Sequence, residues 1–338
     1  MKNKFLKEFS SIIDYSKYNF LLAASGGVDS MVLAYLFHSL NIKFSIAHCN
    51  FCLRGSDSND DEKLVKEFAK NYKVNFFSKK FKTDLFAKEN KISIQMAARN
   101  LRYDWFKQLM EKEKIDFLVT AHHYDDIVET VFINLSRGTS ISGLTGIKKV
   151  ENNIIRPLLI FCKDEIIDFS KKNNINYRED SSNIDEKYVR NKIRHSIIPE
   201  FEKINSNFKK SFSFTLDYLN SVKNIYENFI QKEIKNYVDY KDGVTRINLS
   251  KLKNSIEPKS VLHEIIKHYN FSDIDSIFES INSDSGREFF SNTHYLVKDR
   301  EYYLITQKIN PVSIKIQEST DFVKDPVFIN FKLIDPSS

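Results

Sequence analysis

Short apolar runs and stretches of helical period take turns along the first half of the chain. Residues 20–24 (FLLAA) form a continuous apolar run that stops at Ser25-Gly26-Gly27, and a periodic apolar stretch resumes at residues 31–40. That is the outline of a buried strand, a tight turn and a helix start. Residues 5–19 predict an amphipathic helix ahead of it. Further strands are predicted at 44–48, 74–77 and 117–120, and helices at 57–72 and 92–110. Strands separated by helix-length gaps predict a parallel sheet covered on both faces, which binds ligands beyond the carboxyl ends of its strands. Ser25, His48 and Ala121-His122 all fall at such ends.

The pattern changes near residue 206. Residues 207–238 carry one long helical stripe, followed by a strand near 244–249, helices near 258–269 and 273–282, and strands near 294–297 and 302–306. The expectation is an α/β, parallel-sheet, Rossmann-like domain over 1–205 and a smaller, mostly helical C-terminal domain over 206–309. Residues 310–338 form a tail whose stretch 322–333 has strand composition, as if a further domain began there.

Composition narrows the class only a little. Hydrophobic content of 41% with 28% charged residues is ordinary for a globular protein, and eight glycines with six prolines argue against low complexity. A net charge of +6 permits a polyanionic partner such as RNA without requiring one. No apolar run reaches signal-peptide or membrane-spanning length, so a cytoplasmic protein with no membrane association is expected. Cys49, Cys52 and Cys162 make no disulfide framework, and a four-cysteine zinc site cannot be assembled from them. Cys49 and Cys52 have the spacing of a redox pair but read as incidental thiols.

The candidate chemistry lies in a few short stretches. Residues 25–30 (SGGVDS) place two glycines and a helix N-terminus where backbone N–H groups can meet phosphate. The stretch lacks the Lys-Ser/Thr of a Walker loop and the third glycine of a dinucleotide fingerprint. Arg99 and Arg102 are three apart on one predicted helix and share a face with Tyr103, an arrangement suited either to phosphate or to a solvated basic stripe. His122 and His123 end a buried strand, and Asp126 and Glu129 follow one turn apart, where carboxylates can hold Mg²⁺ or a substrate ammonium. Arg137, Arg178, Arg190, Lys192 and Arg194 form basic positions able to track an RNA backbone.

Residues 25–30 resemble the SGGxDS loop of the PP-loop ATP pyrophosphatases. The ordered set SGGVDS, HCNFCLRGS, ARNLRY, AHHYDDIVET, LSRG, RPLL, EDSSN and RNKIR, over residues 18–200, looks like the tRNA(Ile)-lysidine synthetases. It departs from that family's usual pattern at Phe51, Cys52 and Ile127. The resemblance implies ATP-dependent ligation of L-lysine to C2 of the wobble cytidine of a CAU-anticodon isoleucine tRNA, through an adenylated cytidine. ATP and Mg²⁺ would be the cofactors, and a homodimer is the assembly that precedent implies. It assigns Ser25, Gly26, Gly27, Val28, Asp29, Ser30, His48 and Asn50 to ATP. Asp29, Arg99, Arg102, Asp126 and Glu129 would be catalytic, with Asp29 and Asp126 toward Mg²⁺, and the five basic positions above would contact tRNA. The alternatives are a PP-loop tRNA thiolase and a non-catalytic tRNA-binding protein.

Overall fold

The structure is a computed structural model that describes residues 1–53, 55–178 and 189–308, together with two short strands at 322–323 and 329–330. Arg54, the EDSSN stretch and most of the 310–338 tail lie outside the described residues. The chain divides into two compact units, Met1–Lys223 and Asn224–Ser338.

The first unit runs α1 (Lys2–Ile12), β1 (Phe20–Ala23), α2 (Val28–Ser39), β2 (Phe44–Asn50), α3 (Ser56–Asn71), β3 (Asn75–Lys80), α4 (Thr83–Glu89), α5 (Ile94–Glu113), β4 (Phe117–Val119) and α6 (Tyr124–Arg137). It continues with α7 (Ile141–Leu144), β5 (Val150–Glu151), β6 (Ile154–Ile155), α8 (Lys163–Lys172), α9 (Val189–Lys192), a π-helical turn at Ile193–Ile197, α10 (Ile198–Ile204) and the start of α11 (Phe208–Tyr237). The sheet order is β3-β2-β1-β4-β6-β5, parallel throughout except for β5. Strand order reverses between β1 and β4, the crevice where parallel sheets place their ligands.

Side-chain alternation assigns each face of the sheet. Phe20, Leu22 and Ile46 face one way, into a core with Phe5, Phe9, Met31, Leu33, Val65 and Ile166 from the helices on that side. Leu21, Ala47 and Leu118 face the other way, against Trp105, Phe106, Leu109 and Met110 of α5. Phe5 and Phe9 of α1 are fully buried, each contributing about 2–3 kcal/mol of transfer free energy. Helix α2 is apolar nearly all round because it is covered on every side.

The second unit corrects the expectation of a mostly helical domain. It holds β7 (Val238–Lys241), β8 (Val244–Asn248), α12 (Leu249–Lys253), α13 (Pro258–Ile266), α14 (Ile274–Glu279), β9 (Glu288–Phe290), β10 (His294–Lys298), β11 (Tyr302–Gln307), β12 (Phe322–Val323) and β13 (Ile329–Asn330). Five of these strands form an antiparallel sheet, ordered β7-β8-β11-β10-β9. The physical reason is a hairpin at Asp242-Gly243, both with positive φ (51° and 76°), which turns β7 back onto β8. Asp-Gly between two strands is the composition such a turn requires. The helices pack on one face of this sheet around Ile247, Leu252, Leu262, Ile266, Leu296 and Ile305.

Candidate active site

The loop between β1 and α2 is shaped by its own hydroxyls. Gly26 has φ +95°, a conformation that strains any other residue, and a Cβ there would sit 3.4 Å from that of Asp61. Ser30 Oγ accepts from the N–H groups of Ser25 (3.2 Å) and Gly26 (3.3 Å) and donates to Gly27 O (2.9 Å). Gly27 N–H donates to Ser25 Oγ (3.3 Å). Three of the N–H groups expected to meet phosphate are therefore already oriented by serine oxygens. The Val28 side chain belongs to the core, so only its backbone is available to a ligand.

Beside the loop lies a cavity of about 220 Å³. Its walls are of two kinds. Ala23, Ala47, Cys49, Phe51 and Phe106 give an apolar slot, and Ser25, Asp29, Ser30, Arg102, His122 and Asp126 give a polar rim. The slot opens on the α5 side of the sheet, so Ala47 and Cys49 of β2 face it. His48 and Asn50, expected to line the nucleotide pocket, have the opposite parity and do not. His48 Nδ1 meets Ala24 O (2.9 Å), and its Nε2 has no partner among the described residues. Burial depresses its pKa. Asn50 donates to Glu62 (2.9 Å) and Asn59 (3.2 Å) and accepts from Cys52 N–H (3.0 Å), so it ties the loop after β2 to α3.

The two arginines on α5 separate. Arg102 lines the cavity and lies over the Phe51 ring. Arg99 is exposed and stacks on Tyr103, 4.9 Å from the ring centre. Cys49 has its thiol pushed up to about 12 by burial. Cys52 is exposed.

The exit of β4 carries a dense charge network. Asp126 caps α6 by accepting the His123 N–H (2.9 Å). His123 stands among three carboxylates, Asp125 (3.5 Å), Asp126 (3.6 Å) and Asp29 (3.9 Å). Burial disfavours its charge, but those carboxylates outweigh burial and raise its pKa. His122 behaves oppositely: burial takes it down to about 4, and its Nδ1 hydrogen-bonds to Thr120 Oγ1 (2.8 Å). Asp125 accepts from Lys209 Nζ (2.6 Å) and from the Lys163 N–H (2.7 Å). Glu129 is fully buried; Arg194 grips it through two hydrogen bonds (2.5 and 3.1 Å), with Arg190 at 3.3 Å. Burial pushes its carboxyl up against the pull of Arg194.

Several positions expected at an RNA surface are engaged inside the unit. Arg190 and Arg194 face Glu129. Arg178 hydrogen-bonds Asp61 and Asp57 (both 3.1 Å), pairs with Asp60 (3.5 Å), and donates its N–H to Gly26 O (3.0 Å). It therefore braces α3 against the nucleotide loop. Arg137 and Lys192 are exposed, and so is Arg190 despite its pairing with Glu129. The stretch after α6 holds α7, and Asn134 fastens it by donating to Gly143 O (2.9 Å).

Lys163 and Lys209 are missing from the sequence-based site. Lys163 Nζ lies 2.7 Å from both carboxylate oxygens of Asp29, a residue 134 positions away. Its only sequence signal was its place at the first turn of a helix following Arg156-Pro157-Leu158-Leu159.

Mg²⁺ usually takes one or two carboxylates and completes its shell with phosphate oxygens and water. Asp29 and Asp126 both line the cavity, which suits that donor set. Among the described residues, no group of three or more His, Cys, Asp or Glu side chains could enclose an ion by itself.

Comparison with known proteins agrees with this geometry. Residues 1–201 match the PP-loop domain family and residues 240–309 the TilS substrate binding domain. The tRNA(Ile)-lysidine synthase of Parabacteroides distasonis is 36% identical over 308 residues, covering 90% of this chain and 68% of that protein. That of Bacteroides thetaiotaomicron is 37% identical over 84% of this chain and 66% of its own length. The chain thus spans about two thirds of the length of these relatives. Among solved structures, the U34-tRNA thiolase NcsA from Methanococcus maripaludis with its [4Fe-4S] cluster shares the fold, with a TM-score of 0.53 at 20% identity over 64% of this chain and 77% of that one. Among the described residues no helix is long and apolar enough to cross a membrane. With the PP-loop family matched over residues 1–201 and lysidine synthases 36–37% identical over most of its length, the chain belongs to the tRNA(Ile)-lysidine synthase family.

Proposed function

We propose that this chain joins the ε-amine of L-lysine to C2 of the wobble cytidine of a CAU-anticodon isoleucine tRNA, converting ATP to AMP and pyrophosphate. The observation that carries this reading is the convergence of the loop, Arg102, His122 and Asp126 on one cavity, upstream of a substrate-binding domain of the same family. The apolar slot suits an adenine ring, and the loop at the α2 N-terminus suits the triphosphate. Arg102 neutralises charge that builds as the α-phosphate is transferred to the cytidine oxygen. Mg²⁺ would be held by Asp29 and Asp126 and would supply charge neutralisation on the phosphates.

The second step needs a neutral amine aimed at C2. His122, kept unprotonated by burial, lines the cavity and offers the amine a hydrogen-bond partner, but a value near 4 makes it too weak a base to deprotonate an ammonium. Asp126 attracts the incoming ammonium beforehand. Glu129 acts indirectly, holding Arg190 and Arg194 in place. Arg137 and Lys192, both exposed, are left to meet tRNA phosphates. Cys49 faces the cavity and is the feature that favours sulfur transfer, but a thiol pushed up to about 12 is not a ready nucleophile.

The test is transfer of labelled lysine to a CAU-anticodon isoleucine tRNA transcript with ATP and Mg²⁺. Label on the transcript that depends on ATP is expected. No label, with base modification appearing only when a sulfur donor is added, would replace this reading by the thiolase one.

A further inference from the structure

We propose that Lys163 is a built-in counter-cation that keeps Mg²⁺ off Asp29 until ATP arrives, so that metal loading is conditional on nucleotide. The inference rests on the reading of residues 25–30 and Asp29 as the ATP site. Both Oδ atoms of Asp29 lie 2.7 Å from the Lys163 ammonium, so the carboxylate is engaged through both of its oxygens. A divalent ion bound to that carboxylate would stand within a few ångströms of the ammonium, and two cations at that separation repel strongly in a partly buried site. His123 Nε2 lies 3.9 Å from Asp29 and, when protonated, adds to the exclusion.

The backbone of Lys163 is fixed while its charged end is free to move. Its N–H is held by Asp125 at 2.7 Å, and Cys162 N–H is capped by Glu165 at 2.9 Å, which anchors the first turn of α8. Four methylenes separate that anchor from the ammonium, whose side chain is 34% exposed. The ammonium can leave Asp29 without any backbone movement. An arriving triphosphate offers it a new anion in the same cavity, and Asp29 is then available to the metal. Lys163 is on this account a positioning residue acting through Asp29.

The experiment measures Mn²⁺ binding to the full chain by loss of the free-ion spin-resonance signal, with and without ATP, after subtracting the loss that the same ATP concentration causes without protein. Wild type and Lys163→Arg should bind Mn²⁺ appreciably only with ATP. Lys163→Met should bind it without ATP at least about tenfold more tightly than wild type, the gain expected from removing a directly competing charge. The gain should vanish in the Asp29→Asn/Lys163→Met double variant. A Lys163→Met chain that keeps its circular dichroism and binds metal no better than wild type would overturn the inference, as would a gain that survives in the double variant. Absence of ATP-dependent Mn²⁺ binding in wild type would instead overturn the site reading, and this inference with it.

Discussion

The two units handle buried polar groups differently. In the second unit most close on one another in small neutral sets: Tyr303 bonds Ser280 (2.6 Å) and Ile277 O (2.5 Å), and Thr245 meets Tyr269 (2.9 Å), while the buried Lys298 donates to a backbone oxygen, Ser283 O, rather than to a carboxylate. In the first unit four carboxylates, Asp29, Asp125, Asp126 and Glu129, crowd the carboxyl ends of the parallel strands against Lys163, Lys209, Arg190, Arg194 and His123. Well-packed apolar residues of similar volume would serve stability as well as buried ion pairs do, or better. The contrast teaches where to look for chemistry: charge is concentrated at the switch point between β1 and β4, and the antiparallel sheet is built to pack and present a surface.

Substitutions on either side of this contrast should differ in kind as well as size. Asp29→Asn should lower lysine transfer by about a thousandfold or more, the scale of losing one aligned electrostatic group, while circular dichroism stays that of wild type. A rate within tenfold of wild type would remove Asp29 from the mechanism. Glu129→Gln leaves two arginines without their buried counter-charge and should cost about 3–5 kcal/mol of stability. Denaturant melts that leave the first unit unchanged would show that its charge network is not structural. Tyr303→Phe removes one neutral hydroxyl and should cost about 1–2 kcal/mol, with ATP affinity unchanged in a titration. A change in ATP affinity would break the division of labour.

The pH dependence should be smaller still and confined to the first unit. His48 and His122 both have depressed values in the folded chain, so the unfolded chain takes up their protons more readily. Their contribution is complete above the ordinary histidine value and is lost as pH falls through 6.5. For His122, taken down to about 4, the loss is about 1 kcal/mol by pH 5.5. His123 is raised, so its contribution is already in place below 6.5 and is lost only as pH rises through its folded value. Thermal melts between pH 6.5 and 5.5 should therefore show a falling first transition, flattened in His122→Asn. A slope that persists in that variant and in His48→Asn would place the titration elsewhere.

Much of the first unit was legible because buried parallel strands leave continuous apolar runs, and the loop at 25–30 has few other physical uses. What the pattern could not show was which face of β2 looks into the cavity. Residues 48 and 49 are equally near the strand end, and only packing against α5 makes Cys49 a wall and His48 a brace. Lys163 and Arg178 were hidden for another reason: their partners are distant in sequence, and a lysine at a helix start or an arginine in a charged stretch looks solvated. The second unit was misjudged because its strands are short and half-buried, although Asp242-Gly243 marked the hairpin that organises them.

The most direct test of the central claim, that nucleotide chemistry belongs to the cavity beside β1, is photolabelling of the full chain with 8-azido-ATP followed by peptide mapping. Label is expected on peptides containing residues 23–30, 47–51 and 102–106, suppressed by excess ATP. Label that competes with ATP but maps to residues 238–308 would contradict it.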